Sequence, residues 1–216
     1  MVRAISTSWG TVYGAALNDA ELLRSLSDEF KKPPYKAPPL APVLFIKPRN
    51  CLSFGGAAVP LPADLTSVRV AATVAVFFSR DLTKAKPKDV KSAIGAACLA
   101  LDVSELGSNF FRPAVRQQCR DGFLPLSSFV DLPNELAEVI TSIDGREAHR
   151  WSLSRLARSV EVLCSEISSF MTLKSGDLLL LGLPGDAPVA TVGQSIEVSS
   201  AHFASLRTSI VAESTL

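Results

Sequence analysis

Histidine occurs only twice, at His149 and His202. Two imidazoles so far apart give no basis for a histidine-built metal site, and each reads as an ordinary surface residue. Cysteine is scarce as well. Cys51, Cys98, Cys119 and Cys164 are widely spaced and form no C-x-x-C pair, so they read as reduced thiols of a cytosolic protein, two or three of them buried. Neither sign of charge dominates: 22 Lys and Arg face 21 Asp and Glu, interspersed, for a net +1. With no basic stripe to track a phosphate backbone, a nucleic-acid partner is not expected. No apolar run approaches the roughly 20 residues of a membrane helix, and the opening MVRAISTSWG has no signal-peptide core. The common catalytic signatures are missing too: no GxGxxG, GxxxxGK[ST], HExxH or GxSxG. Nothing favours a Ser-His-Asp triad.

What is present is material for a core. The chain is 47% hydrophobic and 20% charged over 216 residues. That fits one domain, with residues 1–42 as an N-terminal strand, helix and proline-rich strap and residues 43–216 as the main body. Residues 67–80, SVRVAATVAVFFSR, are apolar and β-branched almost throughout and predict a strand buried on both faces. Shorter strands are expected at 11–17, 43–47, 123–130, 135–143, 178–181 and 195–198, with a hairpin turn at Asp144-Gly145. Helices are expected over 20–30, capped by Asn18 or Asp19, and over 152–170, capped by Ser152. A third is expected after Pro87, where Val90, Ile94, Cys98 and Leu101 recur at helical spacing and the helix ends near Asp102. Residues 104–122, with Phe110, Phe111 and Arg112, read as irregular. The segment KKPPYKAPPLAP forbids helix, and is either an extended linker or an ordered strap burying Tyr35 and Leu40. Many short strands and three helices, without strict βαβ alternation, give an α+β class with a mixed sheet.

The chemistry-bearing candidates are few. Asp102 follows an apolar stretch, and an acid with buried neighbours needs a partner; it is either a helix-terminal cap or a site residue. Lys47 and Arg49, at a strand end flanked by proline, are either solvated loop cations or a clamp for a carboxylate. Arg120 and Asp121 are either a local ion pair or part of a site.

Five stretches together resemble the fumarylacetoacetate hydrolase superfamily: GTVYGAALN at 10–18, PPYKAPP at 33–39, FIKPRN at 45–50, CRDGFLPL at 119–126 and LKSGDLLLLGLP at 173–184. The pattern is most similar to the N-terminal half, or separate N-terminal subunit, of the isomerase/decarboxylases of homoprotocatechuate (4-hydroxyphenylacetate) breakdown. The resemblance implies a mixed β-roll or sandwich with a few peripheral helices. It also implies a Mg²⁺ or Mn²⁺ held by a Glu-x-Glu on a strand and an Asp after the next helix, gripping a small oxo or enol dicarboxylic acid.

Laid onto this chain, that Asp is Asp102, but the Glu-x-Glu falls on Ala71 and Thr73. A lysine expected before the conserved proline maps to Gln118, and the threonine of the closing Gly-Thr-Pro is Leu183, between Gly182 and Pro184. One carboxylate does not replace three for an ion that dehydrates reluctantly, so the metal is expected to be lost or weakly held. The resemblance therefore implies three possibilities: a scaffold subunit paired with itself or with a metal-bearing paralogue, a metal-independent enzyme, or a binding module for a small acid. The residues it assigns are Asp102, Arg120 and Asp121 for catalysis, with Lys47, Arg49, Gln118, Gly182 and Pro184 for substrate binding.

Overall fold

The structure is a computed structural model and describes residues 9–107 and 114–213. In chain order the strands are β1 (Val12–Ala15), β2 (Leu44–Lys47), β3 (Leu52–Ser53), β4 (Val59–Leu61), β5 (Ser67–Phe78), β6 (Ile94–Ser104), β7 (Leu124–Pro125), β8 (Glu138–Ile143), β9 (Arg146–Ser152), β10 (Leu178–Leu180), β11 (Val189–Thr191), β12 (Ser195–Ser199) and β13 (Leu206–Ala212). The α-helices are α1 (Ala20–Ser25), α2 (Val115–Gln118) and α3 (Val160–Phe170).

The run of β-branched residues at 67–78 forms the longest strand, and β6 lies antiparallel beside it from Arg69↔Ser104 to Phe77↔Ala96. This ladder is the spine of a six-stranded sheet ordered β11-β5-β10-β1-β2, with β6 on the free side of β5. A second sheet, β4-β13-β12-β8-β9, packs across one face. Between them Val70, Val74 and Val76 of β5 meet Val139, Ile196 and Ile210 of the second sheet and Leu163 and Ile167 of α3. The other face of the spine carries a smaller cluster, in which Ala75, Phe77, Cys98 and Ala100 pack on Leu124, Leu126 and Phe129, with Trp9 against them. Mixed sheets with few helices make this an α+β fold of the expected sandwich type.

Three helix expectations need correction. Residues 94–104 form strand β6, preceded only by a 3-10 turn at Pro87–Ser92. The apolar positions fit a helical spacing, but so does any run that is buried on both faces. Ten backbone pairings with β5 override the helix preference of Ala96, Ala97 and Ala100. The helix expected over 152–170 starts late. Ser152 ends β9 and caps a 3-10 turn, while Ser159 caps α3 by accepting from the Val162 N–H. The first helix is also shorter than expected, ending at Ser25 before a 3-10 turn at Glu29–Lys31. Of the strand expected at 123–130 only Leu124–Pro125 is regular. Strands β3, β4, β9, β11 and β13 were not expected. Phe110, Phe111 and Arg112 lie outside the described residues.

The proline-rich segment divides. Tyr35 packs edge-on to Phe30 at 5.6 Å and the Leu40 carbonyl accepts from Arg158, but the Leu40 side chain is 94% exposed. Cys51, Cys98 and Cys164 are buried free thiols and Cys119 is half-buried.

Candidate active site

The cluster that brings expected site residues together lies at one end of the β5–β6 ladder. Side chains alternate along a strand, so Arg69, Ala71 and Thr73 share a face with their partners Ser104, Asp102 and Ala100. Asp102 is therefore in mid-strand, directly opposite Ala71, and not at the end of a helix. It is 1% exposed, and so is Lys47, which reaches it from the end of β2. Their ion pair is 2.8 Å long.

Lys47 is tightly held. Its ammonium donates to the carbonyls of Val103 at 2.9 Å, Gln118 at 2.5 Å and Phe123 at 3.3 Å. Together with the carboxylate these oxygens surround the ammonium and engage its protons. Its approach to Asp102 Oδ1 is an ion pair of oblique geometry, because that oxygen is otherwise enclosed without a hydrogen-bond partner. Burial pushes the Asp102 carboxyl above its ordinary range, and Lys47 and Arg69 oppose the shift. Burial also raises the nearby Cys51 thiol to about 12, which makes it a packing residue and not a nucleophile.

The other expected residues are placed as follows. Arg49 is exposed beside the cluster. Arg120 donates to Glu105 at 2.9 and 2.5 Å and lies 3.4 Å from Asp64, and these acids, Glu105 first, raise its pKa. Asp121 accepts from Asn50 at 2.6 Å. Arg120 and Asp121 are thus bound to different partners and do not form a local ion pair. Gln118 contributes its carbonyl to Lys47. Gly182 and Pro184 lie buried in the turn after β10, where a Cβ on Gly182 would press on Leu156 and Asn18.

The distinctive motifs act mainly as clasps. Asn50 of FIKPRN bonds the Cys119 carbonyl and the Asp121 carboxylate of CRDGF, and its own carbonyl accepts from Gly122, which sits at φ +71°. Asp177 of the SGD motif accepts from the Thr11 and Lys174 N–H groups, each at 2.7 Å, and a Cβ on Gly10 would collide with it. Asn18 ties β1 to Leu181 and Arg158.

Two features were missed in the sequence. Arg69 interrupts the apolar run of β5 with a cation, a signal visible in SVRVAAT. Its guanidinium donates to the Pro184 carbonyl and lies within electrostatic reach of Asp102, Asp186 and Asp19. The second is an acid cluster around Arg155, which lies 2.5 Å from Asp19 and 3.1 Å from Asp186. His149 belongs to it: the side chain is only 10% exposed and lies 3.2 Å from Asp186, so it is not the surface residue expected. These contacts depend on distant parts of the chain, and local spacing carries no trace of them. Among the described residues no three His, Cys, Asp or Glu side chains group as metal ligands.

A family model described as fumarylacetoacetate (FAA) hydrolase C-terminal matches residues 11–211. A 4-hydroxyphenylacetate degradation bifunctional isomerase/decarboxylase of Escherichia coli is 37% identical over 94% of this chain and 48% of its own length. The chain thus spans about half the length of that relative. An oxaloacetate tautomerase, YcgM, of Escherichia coli (strain K12) is 27% identical over 76% of this chain and 79% of its own. Among solved structures, fumarylpyruvate hydrolase from Pseudomonas aeruginosa in complex with Mn²⁺ and pyruvate superposes with a TM-score of 0.80, at 18% identity, over 96% of this chain and 93% of its own. That likeness concerns the fold.

Proposed function

As the chain belongs to the fumarylacetoacetate hydrolase C-terminal family, we propose that it is a component of an isomerase/decarboxylase acting on a small oxo or enol dicarboxylic acid, with a degenerate metal site of its own. One observation carries this reading. Where the resemblance expects two carboxylates stand Ala71 and Thr73, and the one acid left, Asp102, is 2.8 Å from a buried ammonium. A divalent cation needs several anionic oxygens, and here it would have to displace Lys47 from the single carboxylate available. These residues do not fit such an ion.

The chain then supplies framework and substrate contacts beside a metal-bearing paralogous unit. The matched isomerase/decarboxylase is about twice as long as the region shared with this chain, which supports a second unit as the partner. Such a unit would hold Mg²⁺ or Mn²⁺, which would supply Lewis-acid stabilisation of an enolate. Lys47 ties the end of β2 to Asp102 and to the Val103, Gln118 and Phe123 carbonyls, which fixes this end of the ladder.

The test is co-expression with a metal-bearing paralogue from the same genome. The complex is expected to decarboxylate the oxo-acid and to stop when EDTA is added, while this chain alone is inactive. Enzyme-like turnover by the chain alone in EDTA would overturn the scaffold reading. It would favour instead a metal-independent tautomerase or decarboxylase with Asp102 as general base, a role that the upward push on its carboxyl supports.

A further inference from the structure

Arg69 is a half-buried charge in the site region with hydrogen-bonding capacity to spare. A guanidinium offers several N–H donors in a planar fork and is costly to bury without an anion. Among the described residues, the hydrogen bond seen for Arg69 is the one to the Pro184 carbonyl, and no carboxylate lies within ion-pair distance. The three acids that face it are already gripped by other cations. Asp102 is held by Lys47, and Asp19 and Asp186 by Arg155, with His149 also on Asp186. Arg69 is half-buried and none of its nitrogens is among the fully enclosed side-chain atoms that lack a partner, so the donors not used by Pro184 keep some contact with solvent. They do so on the same face of the ladder as Ala71 and Asp102.

We propose that Arg69 is a substrate-anchoring residue at this end of the ladder and binds one carboxylate group of the oxo-acid through its spare N–H donors, without a metal. This rests on the reading that the chain contributes contacts to such an acid. The fork geometry matches a planar carboxylate. The three neighbouring acids set the selectivity: their field disfavours phosphate and other multiply charged head groups and admits a single carboxylate. The polarity of the site is thereby reversed. Where the resemblance expects anionic side chains that hold a cation, β5 presents a cation that holds an anion.

The probe is pyruvate, titrated into the full chain in EDTA and followed by ligand-observed NMR. The wild type is expected to bind saturably, with neither methyl pyruvate nor inorganic phosphate competing. Arg69→Gln is expected to weaken binding at least tenfold, and Arg69→Lys to keep part of it, with thermal unfolding showing that both variants are folded. Absence of saturable binding by the wild type, equal affinity in Arg69→Gln, or competition by methyl pyruvate would each overturn the proposal. The co-expressed complex separates this from the functional reading. Turnover with an unchanged KM in Arg69→Gln removes Arg69 and leaves that reading standing. An inactive complex whose pyruvate binding still depends on Arg69 does the reverse.

Discussion

The two ends of the β5–β6 ladder are built on the same face by the same strands, yet they are opposites. At the Phe77–Ala96 end the face is closed by aromatic rings: Trp9, Phe77 and Phe129 lie with centroids 5.7 to 6.2 Å apart. At the Arg69–Ser104 end it carries Lys47, Asp102 and Arg69. The apolar end needs only exclusion of water. The polar end works only if each charge finds a partner, so its residues depend on one another in a way the rings do not.

The largest expected effects test that difference. Lys47→Met leaves Asp102 buried without its ammonium and is expected to cost about 3–5 kcal/mol in urea unfolding. Adding Asp102→Leu should recover most of the loss, since two apolar groups replace a buried pair. Phe129→Ala at the other end is expected to cost a similar ~3–5 kcal/mol, with no partner substitution that restores it. If the Lys47 and Asp102 effects were simply additive, the two ends would not differ in kind.

A smaller effect is expected at Asp19, which caps α1 and takes Arg155 and the Gly185 N–H. Asp19→Ala should cost about 2–3 kcal/mol, above an ordinary cap because a buried charge partner is also lost. Asp102 gives a pH test. Burial raises the Asp102 carboxyl above its ordinary 3.8, so the folded state holds this proton more tightly than the unfolded chain does. That contribution is complete below pH 3.8 and is lost as pH rises through the folded value. The wild type should therefore lose stability relative to Asp102→Asn on going from pH 4 toward neutrality, and a gain would contradict the direction of the shift. At the bottom of the scale lies Arg150, an exposed cation bonded to Glu138 and Glu147. Arg150→Ala should leave the urea midpoint unchanged within error, because solvent screens such pairs.

The ladder also shows what the sequence can and cannot convey. Its β5 half was legible because β-branching and length point to a strand. Its β6 half was not, because a doubly buried, alanine-rich run has no period of its own and takes its conformation from the neighbour it pairs with. Asp102 was identified as a residue in need of a partner, and Lys47 as a cation that could clamp a carboxylate. That the two face each other follows from the Lys47 side chain reaching from the end of β2 to Asp102 and Val103 of β6, a contact between distant stretches of chain. Arg69 was visible as a lone charge in an apolar strand, but its lack of an ion-pair partner became apparent only once every nearby acid had been assigned to another cation. Conversely, Asn18, Asn50 and Asp177 of the motifs that carry the resemblance prove to tie distant stretches of backbone together.

The central claim is that the polar end of the ladder has exchanged a divalent cation for side-chain cations. It is tested most directly by titrating Mn²⁺ into the isolated, metal-stripped chain and following the ion by electron paramagnetic resonance. The account predicts that up to millimolar Mn²⁺ gives the spectrum of the free aqueous ion, identical for wild type and Asp102→Asn. A bound-ion signal in the wild type that disappears in Asp102→Asn would contradict it.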